Sequence, residues 1–222
     1  MIATLLGWGK TIVVIFQYII APPICYLCRC FMKQYSIICS DCDVQLIPIA
    51  PKQIKVNSVY TITIHAICRY DGPVKRFILS KNYSDHIMLT GLADLMWQKT
   101  VLSHVAIDCF IPVPLHWTRK LVRGFNQAEL LANRLSSYHT APVYTIVKRI
   151  RKTHYQARLE KSERHNNVKK AFSVISGDTI TGKHVMLVDD LCTTGATAVE
   201  IAKLLVKYKP ASISLVVACR AL

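Results

Sequence analysis

The stretch Val185-Met186-Leu187-Val188-Asp189-Asp190-Leu191-Cys192-Thr193-Thr194-Gly195-Ala196-Thr197 decides the fold. Val185 to Val188 form an unbroken apolar run, the pattern of a strand buried on both faces of a parallel sheet. In such sheets ligands sit at the C-terminal ends of the strands, where Asp189 and Asp190 stand. Two adjacent carboxylates can accept hydrogen bonds from a vicinal diol such as the 2′ and 3′ hydroxyls of a ribose. The Thr193-Thr194-Gly195-Ala196-Thr197 turn then opens a helix, so backbone N–H groups, hydroxyls and the helix dipole converge on a phosphate. One strand-loop-helix thus offers a grip for both ends of a ribose 5-phosphate. A helix cap would explain a lone Asp-x-x-Thr, but not this order of residues. Rival phosphate motifs are missing: no Gly-x4-Gly-Lys-Ser/Thr occurs, and no Gly-x-Gly-x-x-Gly follows a strand.

Outward from this stretch, strand and helix patterns alternate. His184 to Val188 reads as a strand, Ala196 to Lys207 as a helix and Ser212 to Ala218 as a strand. Upstream, Val59 to Ile67 reads as a strand, Pro73 to Tyr83 as a helix capped by Asp71, and Asp85 to Gln98 as a second helix. Val105 to Val113 is β-rich, Gln127 to Leu135 helical, Val143 to Val147 a strand and Ser162 to Val168 a short helix. Alternation of this kind predicts an α/β fold, a mostly parallel sheet flanked by helices.

The 222 residues are enough for one substantial core plus a small module. A hydrophobic share of 52% against 18% charged excludes a disordered chain. Lysine and arginine total 28 against 13 acids, a net +15 that favours polyanionic partners without choosing among phosphates, nucleic acid and acidic lipid. The 9 cysteines are an odd number in a chain too large to need disulfide staples, and four of them form two close pairs near the N-terminus. Cys25-x2-Cys28 and, ten residues on, Cys39-x2-Cys42 bring four thiolates to one tetrahedral zinc. With four protein ligands the metal is structural. Cys30 is a fifth candidate, and Arg29 and Asp43 stand where such knuckles often carry glycine.

Prolines divide the chain. We expect an apolar helix over 1–21, a zinc module over 22–50 and the α/β domain over 51–222. In the first segment Leu5, Trp8, Ile12, Ile15, Phe16 and Ile19 recur at helical spacing, a broad apolar face that docks on protein or rests against a membrane surface. Export fits poorly: no basic start precedes Leu5, a cut after Ala21 would face Pro22, and Pro22-Pro23 interrupt the run before a membrane span is complete. The expected place is the cytoplasm, with the inner membrane face as the secondary option.

Two basic segments complete the site candidates. Pro112-Val113-Pro114-Leu115-His116 is a proline-fixed strand end followed by Arg119, Lys120, Arg123, Gly124, Phe125, Asn126 and Gln127, a set suited to a diphosphate at the sheet edge. From Lys148 to Lys170 basic residues far outnumber Glu160 and Glu163. Lys148, Arg149 and Lys152, with Tyr155 as a stacking partner, suit a single-stranded nucleic-acid track. Cys192 is read as an inert thiol, Cys68, Cys109 and Cys219 as core, Asp108 as an exposed or paired strand-end residue, and His65, His104 and His184 as structural.

These residues carry a resemblance. The Asp189–Thr197 stretch looks like the phosphoribosyl pyrophosphate (PRPP) signature of type I phosphoribosyltransferases. The order of four cysteines, Val113-Pro114-Leu115-His116-x-x-Arg119-Lys120-Leu121-x-Arg123-Gly124-Phe125-Asn126-Gln127, Arg151-x-Thr153-x-x-Gln156, Glu163-Arg164-x-x-Asn167 and the PRPP signature resembles the ComF family over nearly the whole chain. By that resemblance Asp189 and Asp190 would be the ribose-binding acids, and Thr193, Thr194, Gly195, Ala196 and Thr197 the 5′-phosphate loop. Arg151 and Arg164 would join Arg119 and Arg123 on the pyrophosphate side, in part as a lid. The ligand would be PRPP with Mg²⁺, and the biological setting single-stranded DNA uptake during natural transformation, alongside helicase or channel proteins of the uptake machinery. Two readings of the chemistry follow: a phosphoribosyltransferase or PRPP-hydrolysing enzyme, or a non-catalytic PRPP- or nucleotide-sensing protein that binds single-stranded DNA.

Overall fold

The computed structural model describes residues 23–33, 36–47, 49–71, 86–115, 124–150 and 170–221. They fall into two compact units, one ending at Gln45 and the other starting at Leu46. The first holds one short helix, α1 (Ser40–Asp43). The second contains, in chain order, β1 (Lys52–Lys55), β2 (Thr61–Arg69), α2 (His86–Lys99), β3 (Cys109–Pro112), α3 (Gln127–His139), β4 (Val147–Arg149), β5 (Phe172–Val174), β6 (His184–Val188), β7 (Leu191–Cys192), α4 (Ala196–Leu205) and β8 (Ser212–Arg220).

The main sheet runs β1-β2-β8-β6-β3, with β7 also pairing β8. All its pairings are parallel except β1 with β2. The central strands are those with the longest apolar runs: Leu187 of β6 lies between Ile111 of β3 and Leu215 of β8, and all three are fully or almost fully buried. Burial of such side chains contributes roughly 1.5–3 kcal/mol each before entropy is counted, so the central register is strongly specified. β1 instead presents exposed Lys52 and Lys55 at the sheet edge, where lysine discourages pairing with another chain. A separate two-stranded antiparallel sheet joins β4 to β5.

The α/β reading and the parallel core hold, and several element limits differ. The strand expected at Val59 begins at Thr61, because Asn57 Oδ1 accepts the N–H groups of Val59 (2.9 Å) and Tyr60 (2.7 Å) and turns the chain first. Within the β-rich run from Val105, only Cys109–Pro112 pairs as a strand. Asp108 marks its start, exposed and accepting the His184 N–H at 2.7 Å, in keeping with the strand-end role expected for it. Val143 makes an isolated bridge to Phe110, and regular pairing in that segment starts at Val147. The helix from Ala196 ends at Leu205 and tightens into a 3-10 turn over Val206–Tyr208. β1 was not expected, since four residues with three polar side chains carry no period. The helices expected over 1–21, 73–83 and 162–168 lie outside the described residues.

Cys68, Cys109 and Cys219 are buried as expected, with the sulfurs of Cys68 and Cys219 3.5 Å apart across neighbouring strands. His65 is buried, and that burial lowers its pKa, so it stays neutral in the core.

Candidate functional site

β6 delivers its two acids between strands that hold it on both sides. Val113 N–H donates to Val188 O (2.9 Å) and Asp189 N–H to Val216 O (3.1 Å). Asp189 Oδ1 accepts the Asp190 N–H at 2.9 Å, which orients the first carboxylate. Burial pushes the Asp189 pKa well above the usual carboxylate range, and the neighbouring Asp190 charge pushes it further. The Arg149 charge acts in the opposite direction. The hydroxyls of a diol are donors whose hydrogen bonds such a carboxylate can accept.

After the acids the chain runs beside β8. Asp190 O accepts Ala218 N–H (3.1 Å), and β7 adds Leu191 and Cys192 to the sheet. Gly195 then takes φ +80°, a left-handed turn that reverses the chain into α4. A Cβ there would lie 2.6 Å from Ile54 Cδ1, the mobile tip of a side chain that would have to turn aside, so the left-handed backbone is the main reason for glycine. Thr194 Oγ1 accepts the Ala196 N–H at 3.3 Å, and the Val199 N–H to Gly195 O bond (2.9 Å) starts the helical ladder. Asp189, Leu191, Cys192 and the Thr193–Ala198 segment line an open cleft with Val113 at its floor. The first turn of α4 faces this loop with N–H groups that no helical carbonyl can reach. The cleft therefore joins the Asp189 carboxylate to the Thr193–Thr197 turn within a single strand-loop-helix, and Asp190 is not among the residues that line it.

Cys192 is buried and its thiol is raised to about 11, first by burial and then by the Asp189 charge. A thiol in that state is a poor nucleophile, in line with the inert role expected of it. Two contributions were not legible in the sequence. Asn126, at the start of α3, is buried and its Nδ2 donates to Val113 O at 3.1 Å, tying that helix to the end of β3 beside the cleft. Arg149, expected on a nucleic-acid track, lies with its guanidinium over the Phe172 ring (5.4 Å) and acts electrostatically on Asp189. Lys148, next to it on β4, is exposed. Arg119, Arg123, Arg151, Lys152, Tyr155 and Arg164 lie outside the described residues.

In the N-terminal unit, the sulfurs of Cys25, Cys28, Cys39 and Cys42 all lie within 4.8 Å of one another and could hold a metal ion. Cys28 and Cys39 are 3.6 Å apart, close to the ~3.8 Å edge of a tetrahedron built on 2.3 Å zinc–sulfur bonds, so the donor set and its spacing fit zinc. Local backbone bonds shape the site: Arg29 N–H donates to Cys25 O (2.9 Å) and Cys39 N–H to Cys25 Sγ (3.4 Å). Arg29 has φ +67°, so it occupies the left-handed position that its spacing marks for glycine, whereas Asp43 is helical. The thiols compete for protons. Hydrogen bonding from the Cys30 backbone and thiol lowers Cys28 to about 6, while Cys30 is raised to about 12 by its bond to Cys28 and Cys42 is raised by burial. Cys30 Sγ lies 3.3 Å from Cys28 Sγ but outside the group of four.

Residues 121–222 match the phosphoribosyl transferase domain family. Competence protein F of Haemophilus influenzae is 44% identical over 102 residues, covering 45% of this chain and 44% of that protein. DNA utilization protein YhgH of Escherichia coli K12 is 38% identical over 116 residues (52% and 50%), and competence protein ComFC of Bacillus subtilis 35% over 105 residues (47% and 41%). The chain spans about half the length of the curated relatives it matches.

Proposed function

This chain is a ComF-family, phosphoribosyltransferase-like protein, and from that premise we propose that it binds PRPP, as its Mg²⁺ complex, in the cleft between Asp189 and Thr197. The observation that carries the proposal is the junction, in one cleft, of the Asp189 carboxylate with a glycine-reversed helix start. Asp189 and Asp190 accept hydrogen bonds from the 2′ and 3′ hydroxyls of the ribose. The Thr193–Thr197 loop and the start of α4 hold the 5′-phosphate through N–H groups and hydroxyls. Arg149 offsets the negative charge that Asp189 brings, and Asn126 keeps the neighbouring strand end in place. Arg119, Arg123, Arg151 and Arg164 serve the pyrophosphate side. Binding of this kind works by positioning, with charge stabilisation of an electron-poor anomeric carbon if transfer occurs.

The relatives named for competence and DNA utilization support a competence-related role. Within it the chain acts on single-stranded DNA during uptake, in the cytoplasm or at the inner membrane face. Among the described residues no helix is long and apolar enough to cross a membrane. The Cys25, Cys28, Cys39 and Cys42 thiolates hold one structural zinc.

Calorimetry tests the site. Asp189→Asn with Asp190→Asn keeps the shape and weakens charge-assisted bonds of about 1.5–3 kcal/mol each, so PRPP affinity should fall at least tenfold without unfolding. Equal affinity for parent and double variant would remove the assignment. Release of pyrophosphate or a transferred ribosyl group from labelled PRPP, with and without single-stranded DNA, separates the enzyme from the sensor.

A further inference from the structure

β8 ends beside the cleft with a charged residue that neither the acid pair nor the loop accounts for. Arg220 is 7% exposed. Its Nη2 donates to Ala50 O at 3.1 Å, while its Nε and Nη1 are buried and make no hydrogen bond among the described residues. A guanidinium does not lose its proton at any ordinary pH, so these groups stay charged as well as buried. Leaving them uncompensated costs several kcal/mol, and among the described residues no carboxylate accepts a hydrogen bond from either group. Asp71 pairs with Arg69 at 3.1 Å, and Arg69 is the register neighbour of Arg220 on β2, which places a second positive charge there rather than a negative one. Asp189 senses Arg149 as its positive neighbour.

The position ties Arg220 to the cleft. In the β7–β8 pairing Arg220 is the register partner of Cys192, which lines the cleft immediately before Thr193. The Ala221 N–H donates to Cys192 O at 2.9 Å, locking the two segments together. The Arg220 charge is felt at the Cys192 thiol, as is that of Lys52 on β1.

We propose that Arg220 anchors an oxyanion subsite beside the ribose-phosphate loop, taking the carboxylate or phosphate group of a second small molecule bound alongside PRPP. The inference rests on the PRPP reading for what lies next to it, but the subsite itself stands on the buried, uncompensated guanidinium. Its ligand completes the two idle donor groups and neutralises the Arg69–Arg220 pair.

The test follows the Arg220 Nε–H resonance in ¹⁵N-labelled full-length protein, assigned by its loss in Arg220→Lys. Titration with inorganic phosphate and, separately, with benzoate should move it saturably, and the anion that binds more tightly identifies the group. Read from the backbone amides of Cys192 and Ala221, which every variant keeps, Arg220→Met should weaken that anion at least about tenfold, the loss expected for charge-assisted bonds, while the ligand-free protein melts no lower than the parent because an unpaired buried charge is gone. Should the methionine variant not fold, the same backbone amides titrated in Arg220→Lys decide, since a lysine cannot offer the two donors of the guanidinium edge. A resonance that neither anion moves, or anion affinity unchanged in Arg220→Met, would overturn the subsite. Calorimetry with PRPP on the same samples keeps the two readings apart: an anion response without any PRPP binding sinks the PRPP site and leaves the Arg220 subsite standing.

Discussion

Asp189 is the residue at which stability and binding oppose each other. Its folded-state pKa is raised by burial and by Asp190, so the folded protein holds this proton more tightly than the unfolded chain does. The contribution to stability is therefore fully present below about pH 4, the ordinary carboxylate value, and is lost as pH rises through the folded pKa. Asp189→Asn should then stabilise the ligand-free protein at neutral pH, with a melting rise of roughly 2–4 °C per kcal/mol gained in a chain of this size. Denaturant midpoints across pH check it: the advantage of the variant should grow with pH, and a constant difference would show that the carboxylate is not held protonated. PRPP affinity in the parent should rise over the same interval as Asp189 ionises, because the charged form accepts the ribose hydroxyls more strongly. The acid pair was legible as a motif, but the electrostatic position of Asp189 was not, since the burial that raises its pKa and the Arg149 charge that offsets it come from other parts of the chain.

At the scale of elements, the β6-loop-α4 unit was read correctly because its signals are local: an apolar run, two acids, a glycine, a helix start. The reason for glycine at 195 is mainly local. Its φ of +80° follows from the tight reversal, but the 2.6 Å approach of Ile54 comes from β1, an edge strand with no periodic signature. Gly195→Ala should destabilise the protein by about 1–2 kcal/mol from the left-handed backbone alone. Displacing Ile54 adds to that, and PRPP binding should weaken with it. Chemical denaturation and calorimetry on one preparation check both, and an alanine variant of parental stability would mean that the loop can open without loss. The strand limits that differed, at Thr61 and Cys109, share a reason: the side chains of Asn57 and Asp108 take backbone N–H groups at strand ends, a competition that composition does not register.

For the whole molecule, the net +15 charge and the cysteine cluster make separate demands. If the charge serves single-stranded DNA, affinity should fall with salt at a log-log slope near 0.7 per neutralised phosphate, and reversing Lys148 and Lys152 should flatten it. Arg149 is left out of that set because its charge acts at Asp189. Fluorescence anisotropy over a salt series gives the slope, and an absence of binding at low salt would remove the DNA role. The cysteine site should carry one zinc per chain by elemental analysis. Because a structural metal contributes directly to folding, Cys42→Ser should lower stability while PRPP affinity stays within about twofold. Metal-free protein of full stability would count against zinc.

The sequence by itself determined the parallel α/β core, the acid-loop-helix unit and the four-thiol set, because each is written in contiguous residues whose period or spacing has few physical solutions. Tertiary structure alone decided which charges meet. Arg149 reaches Asp189, Asn126 ties α3 to the end of β3, and Arg220 is buried beside Cys192 with donors to spare. Each of those pairings joins residues far apart in the chain. Their energies depend on distance and burial, and neither quantity exists until the sheet has brought the strand ends together.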